Sequence, residues 1–231
     1  MEAGGSEAPR EPGGPSLEIV HPLIEHYVTG LVPPRDAVLA AVEGAAYADH
    51  VPVVGPLEGQ VLYLIARLAR ARRVLEVGSA TGYSAIWLAR AARAQGGSLV
   101  GIELDARRQA EAERNLARAG LADAAQIIRG DAFEVLPTLT DQFDLIFVDL
   151  VRQLGDAERL RRLYELTFAR LVVGGVLVID NVLHGGEVVE PRSPGGRAAD
   201  ALNRLISTDR RLISVILTVR DGLTVALKVA E

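Results

Sequence analysis

Carboxylates occur at the ends of three successive apolar runs of the chain. Glu76 lies just before a loop bounded by Gly78 and Gly82. Glu103 ends the second run, and Asp131 follows the third. Because open α/β sheets bind ligands at the carboxyl ends of their strands, three acids in these places predict a cofactor site. Structural roles are the alternative at two of them, since Glu103 also fits a solvated strand end and Asp131 fits a helix N-cap.

The spacing of the two glycines limits the kind of cofactor. A dinucleotide fingerprint needs a second glycine two positions after the first. Ala80 stands there instead, with Gly82 four positions after Gly78. A P-loop needs Lys-Ser or Lys-Thr after its last glycine, whereas Tyr83 and Ser84 follow here. The loop therefore predicts a nucleotide-type ligand without phosphates, and a plain strand-to-helix turn is the alternative for the glycine pair taken alone.

A second group of polar residues ends two later apolar runs. Asp149 follows the run from Leu145 to Val148, and Asp180 and Asn181 follow the run from Val176 to Ile179. Three oxygen ligands without His or Cys favour a hard cation such as Mg²⁺ over zinc. The alternative is that the two aspartates only cap loops.

The elements that must position these residues belong to one domain. Residues 1–16 carry Gly and Pro with almost no apolar side chains, which predicts a disordered tail. Residues 17–231 are expected to form a single domain, with a helical part over 17–71 and a core over 72–231. The core alternates strands with helices, which predicts a fold of the α/β class.

The predicted architecture is a Rossmann-like, doubly wound, mostly parallel seven-stranded sheet with helices on both faces and helices before it. Asp221-Gly222 is a hairpin turn signal, so the last strand is expected to run antiparallel to its neighbour. The predicted N-terminal helices cover 17–28, 35–46 and 57–68, and the later strands cover 125–128, 145–148, 176–179, 212–219 and 223–229.

Composition excludes several classes of protein. A net charge of −5 and a pI near 5.5 give no reason to expect a nucleic-acid partner. Cysteine is absent, which rules out disulfides, thiolate metal sites and a cysteine nucleophile. The longest apolar stretch, Leu171 to Ile179, is too short to span a bilayer, and the N-terminus has no apolar signal core. We therefore expect a soluble, cytoplasmic protein without a membrane partner.

The motifs taken together resemble a known family. The loop from Glu76 to Gly82, with acids after the second and third strands, resembles the class I S-adenosylmethionine-dependent methyltransferases. From about residue 50 to 231, the chain is similar to the cation-dependent small-molecule O-methyltransferases related to catechol and caffeoyl-coenzyme A O-methyltransferases. The matching segments are Gly59-Gln60, Leu75-Glu76-Val77-Gly78, Gly82-Tyr83-Ser84, Ile102-Glu103, Gly130-Asp131-Ala132, Phe143-Asp144 through Asp149, Asp180-Asn181-Val182-Leu183 and Asp221-Gly222-Leu223.

The resemblance implies S-adenosylmethionine as cofactor and a divalent cation, with Mg²⁺ expected and Mn²⁺ or Ca²⁺ as alternatives. In that family the cation chelates two adjacent oxygens of the acceptor, so that one hydroxyl loses its proton more readily and lies in line with the sulfonium methyl. The resemblance assigns the cation to Asp149, Asp180 and Asn181. It assigns the cofactor to Val54, Glu76, Gly78, Ser79, Tyr83, Ser84, Glu103, Leu104, Asp131, Ala132 and Asp149.

The segment after Asp149 departs from the family pattern. Relatives usually read Asp-Ala-Asp-Lys, with the lysine as the proposed base, whereas this chain reads Asp149-Leu150-Val151-Arg152. Arginine stays protonated, so Arg152 is expected to stabilise a phenolate rather than to accept its proton. His184 is a second candidate because histidine titrates near neutrality, and a plain loop histidine is the alternative. Asp149, Arg152 and His184 are thus the predicted catalytic residues.

These observations predict an S-adenosylmethionine-dependent O-methyltransferase. Its expected acceptor is a small molecule with vicinal hydroxyls, catechol-like or hydroxycinnamoyl, and analogy with bacterial relatives predicts a homodimer. One alternative is a metal-independent methyltransferase in which Asp149 and Asp180 are ordinary acids or loop caps. Another is a cofactor-binding module without catalysis, supported by the missing lysine. The glycine spacing disfavours an NAD-dependent oxidoreductase.

Overall fold

Seven strands form one sheet in the computed structural model, which describes residues 17–231. The strands are β1 (Arg73–Val77), β2 (Ser98–Glu103), β3 (Ala125–Arg129), β4 (Phe143–Val148), β5 (Leu171–Asp180), β6 (Leu212–Leu217) and β7 (Leu223–Lys228). Their order is β3-β2-β1-β4-β5-β7-β6, with β7 antiparallel to both of its neighbours and the other pairs parallel. The predicted sheet is confirmed, while the predicted tail over residues 1–16 lies outside the described residues.

Helices cover both faces of the sheet in the described part of the chain. They are α1 (Pro22–Gly30), α2 (Ala37–Ala48), α3 (Gly55–Leu68), α4 (Tyr83–Arg93), α5 (Ala106–Arg118), α6 (Ala132–Thr138), α7 (Val151–Leu154), α8 (Ala157–Phe168) and α9 (Pro194–Thr208), with a 3₁₀ helix over His184–Val189. None of them combines the length and the apolar character needed to cross a bilayer.

The side chains of the central strands alternate between the two faces of the sheet, and a layer of helices packs on each face. Successive side chains of a strand point to opposite faces. Val74 of β1 and Phe147 of β4 pack with residues of α2, α3, α4 and α5. Their neighbours Leu75 and Val148 pack with residues of α6, α8 and α9 on the other face. The strands are therefore buried on both faces, and ligands have access only at the strand ends.

Two N-terminal helices begin later than the sequence predicted. Helix α1 begins at Pro22 rather than at residue 17, because a proline fits the first turn of a helix and disfavours its interior. The His21 ring caps this helix and accepts a hydrogen bond from the N–H of Leu23 at 3.2 Å. Helix α2 begins after Asp36, whose Oδ1 caps it, rather than at Arg35.

The end of the chain forms the predicted hairpin. Its strands pair with Leu217 opposite Leu223. Strand β6 ends at Leu217 and β7 ends at Lys228, whereas the sequence predicted ends at residues 219 and 229. The turn between them takes left-handed backbone at Arg220 (φ 49°) and Gly222 (φ 86°). Strand β5 begins at Leu171, five residues before the predicted start.

Candidate active site

The loop between β1 and α4 is built around two glycines with left-handed backbone. The φ angle is +95° at Gly78 and +86° at Gly82, a region that side chains with a Cβ rarely adopt. A Cβ on Gly78 would lie 2.7 Å from the carbonyl oxygen of Asp149, and one on Gly82 would lie 3.0 Å from Cα of Ala112 in α5. The N–H of Gly78 donates to the carbonyl of Ile102 at 3.0 Å. The loop therefore packs too closely on its neighbours for larger residues.

Glu76 is fully buried in β1, and neither of its carboxylate oxygens has a hydrogen-bond partner among the described residues. Burial raises the pKa of Glu76 to about 7, although the nearby hydroxyls of Ser79 and Ser84 oppose the rise. The Ser79 hydroxyl is also buried without a partner in the described chain. Because unpaired buried polar atoms are rare, this pair fits a ligand that brings a cationic donor, such as the ammonium group of an amino acid.

A cavity of about 260 Å³ joins the ends of the first three strands. Gly78, Glu103, Leu104, Asp131 and Ala132 all line it. Five of the residues that the sequence assigned to the cofactor therefore surround one space, which we call the cofactor cavity. Its volume lies near the lower end of the range found for small-molecule pockets.

Both acids of the cofactor cavity also bind backbone N–H groups. The Glu103 oxygens accept from the N–H of Ala80 at 2.8 Å and from that of Asp105 at 2.9 Å. Asp131 caps α6 by accepting from the N–H of Phe133 at 2.8 Å. A carboxylate has room for further donors, so these contacts orient the acids and leave lone pairs for a ligand. The cap role and the binding role predicted for Asp131 are compatible, whereas the alternative of a solvated strand end for Glu103 is wrong, because Glu103 is only 8% exposed.

Three more residues assigned to the cofactor are buried near α3 and α4. Val54 lies directly before α3, and Ser84 is in the first turn of α4. The Tyr83 hydroxyl donates to Glu43 of α2 at 3.0 Å, and Arg35 binds the same carboxylate at 2.7 Å. Tyr83 therefore connects α4 to the N-terminal helices, and it does not line the cofactor cavity.

Asp149 directly follows β4, and Asp180 is the last residue of the adjacent strand β5. We call these two residues the acid pair. Val148 of β4 pairs with Ile179 of β5, so the next residue of each strand lies at the same edge of the sheet. Burial, followed by the charge of Asp180, raises the pKa of Asp149 to about 8. Burial also raises the pKa of Asp180 to about 6. The acid pair therefore concentrates negative charge that a bound cation would compensate.

Asn181 turns the chain sharply after β5. Its φ angle is +62°, a conformation that asparagine tolerates better than most residues. Its N–H donates to Oδ1 of Asp180 at 2.6 Å, which fixes one oxygen of the acid pair. Within residues 17–231, no three His, Asp or Glu side chains are grouped to hold a metal. The predicted cation set instead consists of two carboxylates and an amide.

Glu58 lies beside the acid pair, and the sequence analysis did not assign it. It is 1% exposed in the first turn of α3. Burial, followed by the charge of Asp180 and with a smaller effect of Asp149, raises the pKa of Glu58 well above its usual value. The available sequence signal is its position four residues before Leu62, on the apolar face of the predicted third helix.

Arg220 is the second charged residue that the sequence analysis did not assign. It lies in the turn between β6 and β7, and its Nη1 donates to the carbonyl of Val53 at 2.8 Å. Its charge opposes the burial-driven rise in the pKa of Glu58, Asp149 and Asp180. Arg220 thus brings positive charge to the acids and attaches the hairpin to the segment before α3.

Arg152 is bound by Asp221 of the same hairpin turn. Its Nε and Nη2 donate to Oδ2 of Asp221 at 2.9 and 2.5 Å, and Oδ1 accepts from the N–H of Gly185 at 2.6 Å. Asp221 therefore joins α7, the 3₁₀ helix and the hairpin. The charge of Arg152 also opposes the burial-driven rise in the pKa of Asp149.

His184 packs against α9 rather than between the acids. A Cβ on Gly195 would lie 2.5 Å from its Nε2, and its Nδ1 is buried without a partner among the described residues. The Ser193 hydroxyl and, to a smaller degree, His184 lower the pKa of Glu187. His184 is not among the main groups that shift the pKa of the acid pair.

Comparison with known proteins gives a consistent family. The sequence profile described as O-methyltransferase matches residues 41–229. A catechol O-methyltransferase from Niastella koreensis is 32% identical over 217 residues, which cover 88% of this chain and 96% of that protein. A catechol O-methyltransferase from Mycobacterium tuberculosis is 36% identical over 171 residues, which cover 73% of this chain and 75% of the relative.

A solved structure has the same fold at similar identity. It is the O-methyltransferase TomG from Streptomyces achromogenes, which is involved in tomaymycin synthesis and was crystallised with S-adenosylmethionine. The TM-score is 0.78 at 32% identity, and the match covers 90% of this chain and 96% of that one. The glycine loop, the cofactor cavity, the sheet order and these matches lead to one conclusion: the chain belongs to the family of S-adenosylmethionine-dependent O-methyltransferases.

Proposed function

We propose that this enzyme transfers the methyl group of S-adenosylmethionine to a hydroxyl of a small acceptor with vicinal hydroxyls, assisted by a divalent cation. The acceptor is catechol-like or hydroxycinnamoyl, and the cation is Mg²⁺, with Mn²⁺ or Ca²⁺ as substitutes. One observation carries the proposal. Asp149 adjoins both the glycine loop, which forms the cofactor half of the site, and the acid pair, which forms the acceptor half. Its carbonyl packs on Gly78 of the loop, and the charges of Asp180 and Glu76 raise the pKa of its carboxylate.

The donor half uses residues around the cofactor cavity. Glu76 accepts the ammonium group of the methionine part, since its buried carboxylate otherwise lacks a partner in the described chain. Glu103 accepts the ribose hydroxyls, and Asp131 with the backbone of Ala132 holds the adenine. The wall formed by Gly78 lets the cofactor approach the backbone closely.

The acceptor half uses the acid pair with Asn181. Two carboxylates and an amide are ligands that a hard cation prefers, and the raised pKa of both acids fits a site that gains stability from a positive charge. When bound, such an ion supplies Lewis acidity that lowers the pKa of a hydroxyl coordinated to it. Arg152 contributes fixed positive charge beside this centre, since its charge acts on Asp149.

The names of the relatives support the acceptor class. Two relatives above 30% identity are catechol O-methyltransferases. In addition, a cation held by three protein ligands has open coordination positions, and two vicinal oxygens of an acceptor can occupy them. Positioning of one hydroxyl against the methyl group provides the remaining rate enhancement.

The test is methyl transfer from labelled S-adenosylmethionine to a panel of catechols and hydroxycinnamoyl compounds, with Mg²⁺ and with EDTA. Wild type is compared with Asp180→Asn and with Asp123→Asn, an exposed aspartate that serves as the control. We expect activity to be lost with EDTA and in Asp180→Asn, while cofactor binding persists and the control is unaffected. Transfer that survives both treatments assigns the enzyme to the metal-independent alternative.

We also propose that two copies associate through α1. This helix has no buried residue, although it carries Leu23, Ile24 and Tyr27, whose side chains are 72%, 55% and 64% exposed. Apolar patches of this kind commonly mark protein interfaces. Sedimentation equilibrium of wild type and of Leu23→Glu/Tyr27→Glu tests the proposal, since a monomeric wild type contradicts it.

A further inference from the structure

Glu58 carries a buried carboxylate that no N–H or O–H donor of the described residues satisfies. Its side chain is 1% exposed, and both Oε1 and Oε2 lack a hydrogen-bond partner among residues 17–231. A buried ionisable group without a partner costs several kcal/mol unless it stays neutral or meets a cation. Such a group therefore requires a specific explanation.

The helix that carries Glu58 does not provide this explanation. An acid in the first turn of a helix commonly accepts from a free N–H of that turn. Glu58 lies in the first turn of α3, yet neither of its oxygens accepts from the N–H groups there. Its carboxyl group instead lies within hydrogen-bonding reach of the Asp180 carboxyl at the end of β5.

The groups that Glu58 meets are those of the proposed cation centre. Asp180 from β5 and Asp149 from the end of β4 are the acids whose charges act on it, and Arg220 is the cation. No ion pair within 4.0 Å joins Arg220 to any of these acids in the described chain, and its Nη1 donates to the carbonyl of Val53. Glu58 therefore adds a third negative charge beside the acid pair.

We propose that Glu58 belongs to the outer shell of the divalent cation held by Asp149, Asp180 and Asn181, where it accepts a hydrogen bond from a water bound to the ion. This inference rests on the cation dependence proposed above. Mg²⁺ keeps several of its waters in protein sites and uses only one or two carboxylates directly. An outer role also agrees with the finding that no three acidic or histidine side chains of residues 17–231 are grouped as direct ligands.

Outer-shell partners orient the ligands and the waters of an ion, and their loss typically lowers metal affinity by 10- to 100-fold. Glu58→Gln keeps the size of the side chain and one oxygen, while it removes the charge. We therefore expect Glu58→Gln to bind Mn²⁺ at least about tenfold more weakly than wild type. We expect its affinity for S-adenosylmethionine to remain within about twofold, because the main charges that act on Glu58 are those of Asp180, Arg220 and Asp149 and not those of Glu76, Glu103 or Asp131.

The experiment measures Mn²⁺ binding by the electron paramagnetic resonance of free Mn²⁺, on full-length protein without acceptor. Four proteins are compared: wild type, Glu58→Gln, Asp180→Asn and Glu43→Gln. Glu43 is the matched control, since it is also a buried glutamate of the N-terminal helices but is paired with Tyr83 and Arg35. Thermal unfolding of each metal-free protein confirms folding, and we expect Glu58→Gln to be at least as stable as wild type because it removes an uncompensated buried acid.

The outcomes separate this inference from the proposed function. Weaker Mn²⁺ binding by both Glu58→Gln and Asp180→Asn, with Glu43→Gln unchanged, supports it. Wild-type affinity in Glu58→Gln together with lost affinity in Asp180→Asn overturns the role of Glu58 and leaves the proposed function intact. A wild type that does not bind Mn²⁺ overturns both. If Glu58→Gln does not fold, Glu58→Ser is measured, and unchanged Mn²⁺ affinity in that uncharged variant likewise overturns the role.

Discussion

Arg152 and Asp221, which are 69 positions apart, form a two-bond ion pair at the sheet edge. The bonds run from Nε at 2.9 Å and from Nη2 at 2.5 Å to the same carboxylate oxygen. Gly185 occupies the other oxygen at 2.6 Å. Charge-assisted bonds of this kind fix orientation as well as charge. Through this pair, Arg152 serves as a positively charged anchor that joins α7 to the hairpin turn and the 3₁₀ helix.

Replacement of Arg152 tests the anchor role. Arg152→Gln is expected to lower kcat/KM by up to about fivefold, because a half-exposed ion pair of about 0.2–1 kcal/mol that orders these elements is lost. Arg152→Lys is expected to lose less, since it keeps the charge. Both limbs of the pH profile of kcat/KM should persist in both variants because arginine does not titrate, while the loss of positive charge in Arg152→Gln raises the pKa of Asp149. Loss of one limb of the profile in Arg152→Gln would show that Arg152 takes part in proton transfer; Arg204→Gln on the exposed face of α9 is the control.

Glu76 makes stability depend on pH. Burial raises its pKa from 4.5 to about 7 in the folded protein, so the folded state binds more protons than the unfolded state between these values. Stability of the ligand-free protein therefore falls as pH rises from about 4.5 to about 7, by on the order of 3 kcal/mol for this group. Affinity for S-adenosylmethionine should rise over the same window, because the ionised carboxylate binds the ammonium group.

Urea unfolding and calorimetric titration at pH 5, 6, 7 and 8 measure both effects. The Glu76→Gln variant should lose the part of each pH dependence that Glu76 contributes. Glu113→Gln, an exposed glutamate of α5, should behave like wild type. Identical pH dependence in wild type and Glu76→Gln contradicts the prediction.

Gly78→Ala is expected to weaken the glycine loop. The φ angle of +95° disfavours any residue with a Cβ, and that atom would lie 2.7 Å from the Asp149 carbonyl. We expect a loss of about 1–2 kcal/mol from the backbone alone, with a further loss of cofactor affinity. The matched control is Gly44→Ala in α2, where no atom lies within 4 Å and φ is ordinary. That variant should gain about 0.5–1 kcal/mol in urea unfolding.

Tyr83→Phe separates two roles of that residue. Its hydroxyl donates to the buried Glu43, so its removal should destabilise the protein by about 1–3 kcal/mol. The dissociation constant for S-adenosylmethionine should change little, because the hydroxyl is directed toward α2. Tyr63→Phe removes a hydroxyl that contacts only Arg67 of its own helix and is the control. A tenfold weaker cofactor complex with unchanged stability would instead assign the Tyr83 hydroxyl to the cofactor.

The sequence predicted those features whose partners are near in the chain. Asp131 was expected as a helix cap and is one, because the N–H that it accepts from is two residues away. The turn at Gly222 follows from its local preference for left-handed backbone. Strand ends were predicted well enough to bring Asp149 and Asp180 to one edge, since parallel strands in matching register end together.

Features that depend on distant contacts were not predictable in this way. Arg220 binds the carbonyl of Val53, which is 167 positions away, and no local pattern specifies that contact. Glu58 acts on Asp180 although the two residues are far apart in the chain, so no local pattern specifies their proximity. The late start of α1 is different, since Pro22 is a local signal whose preference for the first turn outweighs the apolar pattern that begins at Leu17.

The hairpin at the end of the chain has a consequence for biosynthesis. The N–H groups of Val182 and Leu183 donate to the carbonyls of Gly222 and Asp221, and β5 has β7 as its neighbour on one side. A ribosome has therefore translated the whole donor half before it makes the residues that brace the loop after β5. A nascent chain that stops before Asp221 therefore contains the complete glycine loop but lacks the carbonyls that accept from the loop after β5.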